Sequence, residues 1–314
     1  EIPCRDWSSD VCSSDLAANL DAIKAFGIFN RNAAKALAVT AYSSNRTKQD
    51  EADKEQIASA MQWDLWNPWA SYYELHSTHP LPAKRIEALA DQAATMGQEP
   101  YIVFNRRKPE SYWDEFLIDV FVYFLPVYPF IAALIFSGHQ ISTHSNFQAF
   151  IEQKGYIALG IFLIATVICY FIKVNFSYPA SVFPKTKIST LLSKVKVSSV
   201  RSVPATLTGK VVGRGVPGYM FSEDMVFEDS TGIIFVDYSQ PLSFFELLFA
   251  IFSTEKYVGQ NVTIEGWYRR APVPYFEVKN MKAGYSVENC YTYNAKILWS
   301  IMLLIAGIIF LFIR

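Results

Sequence analysis

The chain has 314 residues, a formal net charge of −1, and 51% hydrophobic residues, among them 24 Phe and 18 Tyr. Near-neutral charge excludes a global field that would draw nucleic acid or an acidic partner, and the apolar share exceeds that of an ordinary soluble domain and points to membrane residence. The 4 cysteines have neither metal nor disulfide spacing, which excludes a disulfide framework.

Residues 1–16 contain a near-repeat, Trp7 to Val11 and then Cys12 to Leu16, with no apolar stretch and no basic flank. They are not a signal peptide; they resemble a translated sequencing adapter and are set apart from the folded chain. Leu20, Ile23, Phe26, Phe29, Ala33 and Leu37 then recur at helical spacing, which predicts a helix over 19–42. The polar stretch Ser43 to Glu55 predicts a loop or frayed segment, followed by a helix over Gln56–Trp63. Trp63, Trp66, Trp69, Tyr72 and Tyr73 come next at close spacing and suit either a packed core or a lipid interface. Pro82 fits the first turn of a helix, Ile86, Leu89, Ala93 and Met96 share one face of it, and Gly97 ends it. His79 therefore lies just before a helix N-terminus, on a bend between Pro80 and Pro82. Residues 98–115 read as a linker.

Three apolar runs approach the roughly 20 residues that cross a bilayer as a helix: 116–136, 156–172 and 297–313. The first holds Asp119 near one end and Pro126 and Pro129 inside, which predicts a kink. Arg106, Arg107 and Lys108 precede it, Lys173, Lys185, Lys187, Lys194, Lys196 and Arg201 follow the second run, and Lys154 alone stands between them. Basic residues stay on the cytoplasmic side, so residues 17–115 and 175–295 are expected in the cytosol, with the 137–155 loop and the C-terminus outside. His139 and His144 in that loop lack acidic or Cys company and read as polar loop residues.

Between the second and third spans, residues 178–290 form a separate unit. Strand-like segments occur at 205–214, 224–229, 232–238, 261–270 and 275–282, with the apolar helical run Ser243 to Phe252 between the third and fourth. Three strands, a helix and two strands is the order of an OB-fold barrel. The 244–252 helix would plug the barrel bottom or lean on the bilayer. Residues 205–284 carry seven Lys and Arg against nine Asp and Glu, with Arg269 and Arg270 beside Trp267 and Tyr268 as the one basic-aromatic cluster. That balance opposes nucleic-acid binding. The glycines around Arg214 (Gly213, Gly215) and Pro217-Gly218 read as a barrel loop rather than an anion cradle.

One segment resembles a known family. Ser77-Thr78-His79-Pro80 followed by Pro82-Ala83-Lys84-Arg85-Ile86 is similar to the late motif of the HtpX-like and CAAX prenyl protease family of membrane zinc metallopeptidases. The resemblance covers about residues 17–97. It implies that the chain is the C-terminal part of an integral-membrane zinc metalloendopeptidase of the bacterial inner membrane, acting on membrane or misfolded proteins from the cytosolic side. It also implies a catalytic role for His79 in binding substrate or stabilising an oxyanion. The HExxH that holds zinc in that family occurs nowhere in the 314 residues, so this chain is expected to be inactive and to bind no zinc by itself. His76 and His79 form an HxxH, two ligands where catalytic zinc requires three. Glu51-Ala52-Asp53 looks like the setting of the family's third ligand but lies too near His79.

The fold expected is thus an α+β membrane protein: a helical metallopeptidase remnant, three transmembrane helices and a small OB-like barrel. The partners expected are the lipid bilayer and, in the parent protease, protein or peptide substrates, with no nucleic acid. The alternative is a non-enzymatic, membrane-anchored interaction or scaffold protein.

Overall fold

The computed structural model describes residues 50–77, 79–143, 147–179, 182–214 and 224–313. The helix expected over 19–42, Cys4, Cys12, His144 and Gly215 to Gly218 lie outside the described residues, as do the side chains of Glu51 and Asp53.

Three helices form the first unit: α1 (Asp50–Trp66), α2 (Pro68–Leu75) and α3 (Pro82–Thr95). Helix α1 corrects the loop expected up to Glu55. Lys54, Glu55 and Gln56 have good helix propensity, and the buried apolar residues Ile57, Ala60 and Met61 supply the anchor. Pro68 can occupy the first turn of α2 because no N–H is required there, and the Asn67 side chain caps it by accepting from Trp69 N–H at 2.9 Å. Helix α3 starts at Pro82 as expected and ends before Gly97, whose φ of 70° favours glycine. Ile57, Met61, Ala83, Ile102 and Phe104 form the core of this unit, so part of the expected linker packs against α1 and α3.

The first apolar run is α4 (Trp113–Phe124), a 3-10 turn (Leu125–Val127) and α5 (Tyr128–Thr143). Pro126 and Pro129 withhold amide hydrogens there, and the ladder tightens where they interrupt it. The second is α6 (Phe147–Ser177). After a short α7 (Ile188–Leu192) and the barrel, the third is α10 (Thr292–Phe312). The stretches Trp113–Ile141, Lys154–Ser177 and Thr292–Phe312 are each long and apolar enough to cross a membrane. Helices α6 and α10 pack closely where two glycines meet: a Cβ on Gly160 would stand 2.8 Å from the Gly307 carbonyl oxygen.

The strands are β1 (Val203–Arg214), β2 (Met225–Asp229), β3 (Gly232–Asp237), β4 (Asn261–Arg270), β5 (Pro274–Ala283) and β6 (Ser286–Asn289), with α8 (Ser243–Phe252) and α9 (Thr254–Tyr257) between β3 and β4. The sheet order is β3-β2-β1-β4-β5-β6, and β3 also pairs in parallel with β5, matching Phe235 with Tyr275. That pairing closes a five-stranded barrel of OB-like order. β6 is a strand the sequence pattern did not reveal; it extends the free edge of β5 beyond β3. Leu207, Met225, Phe227, Ile234, Ile264, Phe276 and Met281 fill the interior. Ile188, Leu191 and Leu192 of α7 join the same core, while α8 contributes Phe249 from the other side of the chain. The turn after β2 holds α7 in place: Asp229 Oδ2 accepts from Ile188 N–H at 2.9 Å and Thr231 Oγ1 from Ser189 N–H at 3.2 Å.

Candidate functional site: a polar junction under the barrel

Strand β4 ends on Arg269 and Arg270, both buried. Successive strand residues face opposite ways, so the two guanidinium groups leave in different directions and tie the barrel to different parts of the chain.

Arg270 reaches the helical unit. Its Nη1 donates to the carbonyls of Ala60 at 2.8 Å and Leu192 at 3.1 Å, and its Nη2 donates to Asp64 Oδ1 at 3.2 Å. The guanidinium lies 4.9 Å from the Trp63 ring centroid. Trp63 is fully buried and its indole N–H donates to the Val197 carbonyl at 2.7 Å; Asn67 Nδ2 donates to the Val195 carbonyl at 2.7 Å. Burial pushes the Asp64 carboxyl above the usual carboxylate range, against the pull of Arg270.

Arg269 reaches the second and third apolar helices. Its Nε donates to Glu277 Oε2 at 2.7 Å, its Nη2 to the Ser177 carbonyl at 2.8 Å at the end of α6, and its Nη1 to the Ser199 carbonyl at 2.9 Å. Tyr178 O–H donates to Glu277 Oε1 at 2.7 Å and in turn accepts from Lys296 of α10. Burial raises the Tyr178 hydroxyl well above its ordinary range, and the neighbouring Glu277 carboxylate adds to the effect. Val174, Tyr178 and Trp267 pack as one cluster with Tyr293 and Ile297, so polar and apolar contacts bind the same three elements.

A third knot involves the first apolar helix. Asp119, 2% exposed, accepts from Ser198 Oγ at 2.7 Å, Arg201 Nε at 2.9 Å and Trp69 Nε1 at 3.3 Å. A carboxylate in an apolar span is costly unless it is partnered, and here every partner comes from outside the span. Trp69 also meets Phe116 of α4 edge-on, with centroids 5.0 Å apart. Trp63, Trp66 and Trp69 are all buried, which places them in packed cores rather than at an open lipid interface.

His79, the sequence-predicted catalytic residue, stands apart from these knots. It is half-buried in the bend before α3, and its backbone N–H donates to Ser77 Oγ at 3.3 Å. His76 is exposed, with Nδ1 2.9 Å from the Tyr72 carbonyl oxygen and its ring against Tyr72. Among the described residues no three His, Cys, Asp or Glu side chains converge as a metal set. Arg214, flagged by its glycine neighbours, donates to the Ala250 carbonyl at 3.0 Å and pairs with Glu255 at 3.1 Å, so it braces α8 and α9.

The arrangement joins and orients; among the described residues of these knots no nucleophile, base and oxyanion donor meet at one point. Asp64, Ser198, Arg201, Glu277 and Tyr178 belong to it but carry no sequence motif. The legible signals were Asp119 inside an apolar run and two adjacent arginines in a strand otherwise suited to a core. No family model, curated protein or solved structure matches this chain.

Proposed function

We propose that the chain is a membrane-anchored scaffold whose barrel grips a small helical unit and holds it at a fixed place beside the bilayer. One observation carries this reading: the barrel, the starts or ends of all three apolar helices and the helical unit are joined by three buried ionic knots, on Arg269, Arg270 and Asp119. Buried charge is kept only where it is partnered, and such pairs serve to specify one arrangement. Arg269 and Arg270 are spent in these contacts and are not presented to a phosphate backbone. By the distribution of Lys and Arg, the helical unit and the barrel face the cytosol; the protease resemblance implies that the membrane is a bacterial inner membrane. Tyr72, Leu75 and His76 are exposed, Leu75 to 84%, and form the surface offered to a protein partner. The test is a photo-crosslinking residue at Leu75 in native membranes. A crosslinked protein whose yield falls in the Asp64→Asn variant is the expected result; the same yield in both would show that the knot does not position this surface.

A second reading rests on where His79 sits, at the approach to the N-terminus of α3, as the protease resemblance implies. On that reading the helical unit lines the substrate cleft of a membrane zinc metalloendopeptidase, whose zinc-holding HExxH occurs nowhere in these 314 residues. The purified chain is then expected to carry far less than one zinc per molecule. Stoichiometric zinc, lost on changing His76 and His79 to Ala, would overturn the exclusion of that pair.

A further inference from the structure

Helix α8 is built against the usual pattern. Its buried face is narrow: Phe249 and Ala250, with Phe249 stacked 3.6 Å from the Tyr238 ring and also facing Tyr257. Phe244, Phe245, Leu247, Ile251 and Phe252 are exposed, Phe244 to 62% and Phe252 to 65%. At 100° per residue these positions, with half-buried Leu248, occupy one continuous arc of about 160°. The arc holds no polar residue. A helix apolar all round is stable in water only when something covers it, and a contiguous exposed apolar patch marks a contact surface.

The neighbourhood indicates what covers it. Thr292, the first residue of α10, donates from Oγ1 to the Ser239 carbonyl at 2.8 Å. Gln240 Nε2 donates to the Asn289 carbonyl at 2.9 Å, and Tyr291 N–H donates to Gln240 Oε1 at 3.4 Å. Glu246 of α8 reaches back to accept from Gln240 N–H at 2.8 Å. Four chain steps lead from Ser239 to Ser243, a reach of at most about 14 Å. The first turn of α8 is thus tied to the point where the third span begins.

We propose that α8 is an interfacial helix: its face of Phe244, Leu247, Leu248, Ile251 and Phe252 lies in the acyl-chain boundary of the bilayer and seats the barrel on the membrane. This rests on the reading of the three apolar helices as membrane spans. The helix has no Lys or Arg, so its contact is with apolar chains rather than with anionic headgroups. Neither a second copy nor a soluble partner would require the tether to Thr292.

The test places a nitroxide at Phe244→Cys, Phe252→Cys, Gln260→Cys or Leu303→Cys, each alone in the full chain with its native cysteines replaced by Ala, in phosphatidylcholine vesicles. Gln260, exposed at the opposite end of β4 from the junction, is the water reference, and Leu303 in α10 is the bilayer reference. Collision rates with oxygen and with a water-soluble nickel complex are compared. The expected result is oxygen dominance at Phe244, Phe252 and Leu303, nickel dominance at Gln260, and no change when a fifth of the lipid is made anionic. Nickel dominance at Phe244 and Phe252 with oxygen dominance at Leu303 overturns the proposal and leaves the spans intact. Protection from both reagents with spin–spin broadening assigns the face to a second copy and also overturns it. Nickel dominance at Leu303 would sink the membrane reading itself.

Discussion

Asp64 and Arg270 carry the strongest single-residue consequence. Both side chains are buried, at 7% and 6% exposure, and removing one member of such a pair strands the other. Asp64→Asn is expected to destabilise the fold by about 3–5 kcal/mol, toward the lower end because Arg270 keeps two carbonyl acceptors. The double change Asp64→Leu with Arg270→Leu is expected to cost less than the single one, since no charge is left unpaired. Denaturant unfolding in detergent measures both, and a double variant as unstable as the sum of its parts would contradict the pairing. Burial also raises the hydroxyls of Tyr178, Tyr238 and Tyr275 above the ordinary value of 10.0. The folded chain keeps protons that the unfolded chain releases, so this stabilisation is fully present below pH 10 and falls as pH climbs from there toward the folded values. The unfolding midpoint should begin to decline as pH passes about 10 and keep falling above it at constant ionic strength; a flat profile would mean that these hydroxyls ionise equally in both states.

At the scale of elements, the contact of α6 with α10 depends on what is absent from it. Gly160 and Gly307 let the backbones approach, and a Cβ on Gly307 would meet Ile164 Cγ1 at 2.9 Å. Without a hydrophobic force between helices in lipid, such close backbone packing holds them together. Gly160→Leu is expected to destabilise the pair by about 1–3 kcal/mol, read as a lower melting temperature in detergent, with an unchanged value contradicting the contact. The apolar runs and the barrel strands were legible because length and alternation depend on local sequence. The proline break near 126 was legible for the same reason. β6 and α7 were not: β6 is four residues long with one apolar side chain, Val287, and α7 is held by Asp229 and Thr231, some forty positions away. Helix α1 was misread at its start because Asp50 to Glu55 is polar, a property shared by loops and by the solvated turns of a helix.

For the whole molecule, the site was less legible than the fold. Pattern marks single residues, whereas Arg270 with Asp64 and Arg201 with Asp119 are joined only by tertiary packing. The motif around His79 drew attention to a bend that the ionic knots do not include. On the proposed reading of the three apolar helices as spans, two crossings lie between the helical unit and the barrel and return the chain to the side it left, as the Asp64–Arg270 pair requires, and the third carries the C-terminus across. The decisive measurement is labelling with a membrane-impermeant thiol reagent in oriented membrane vesicles. Single cysteines replace Gln98, Gln260 or Ser145 in a background without native cysteines. The account predicts that Gln98→Cys and Gln260→Cys label together from one side, and Ser145→Cys from the other. Labelling of Gln98→Cys and Gln260→Cys from opposite faces would contradict it.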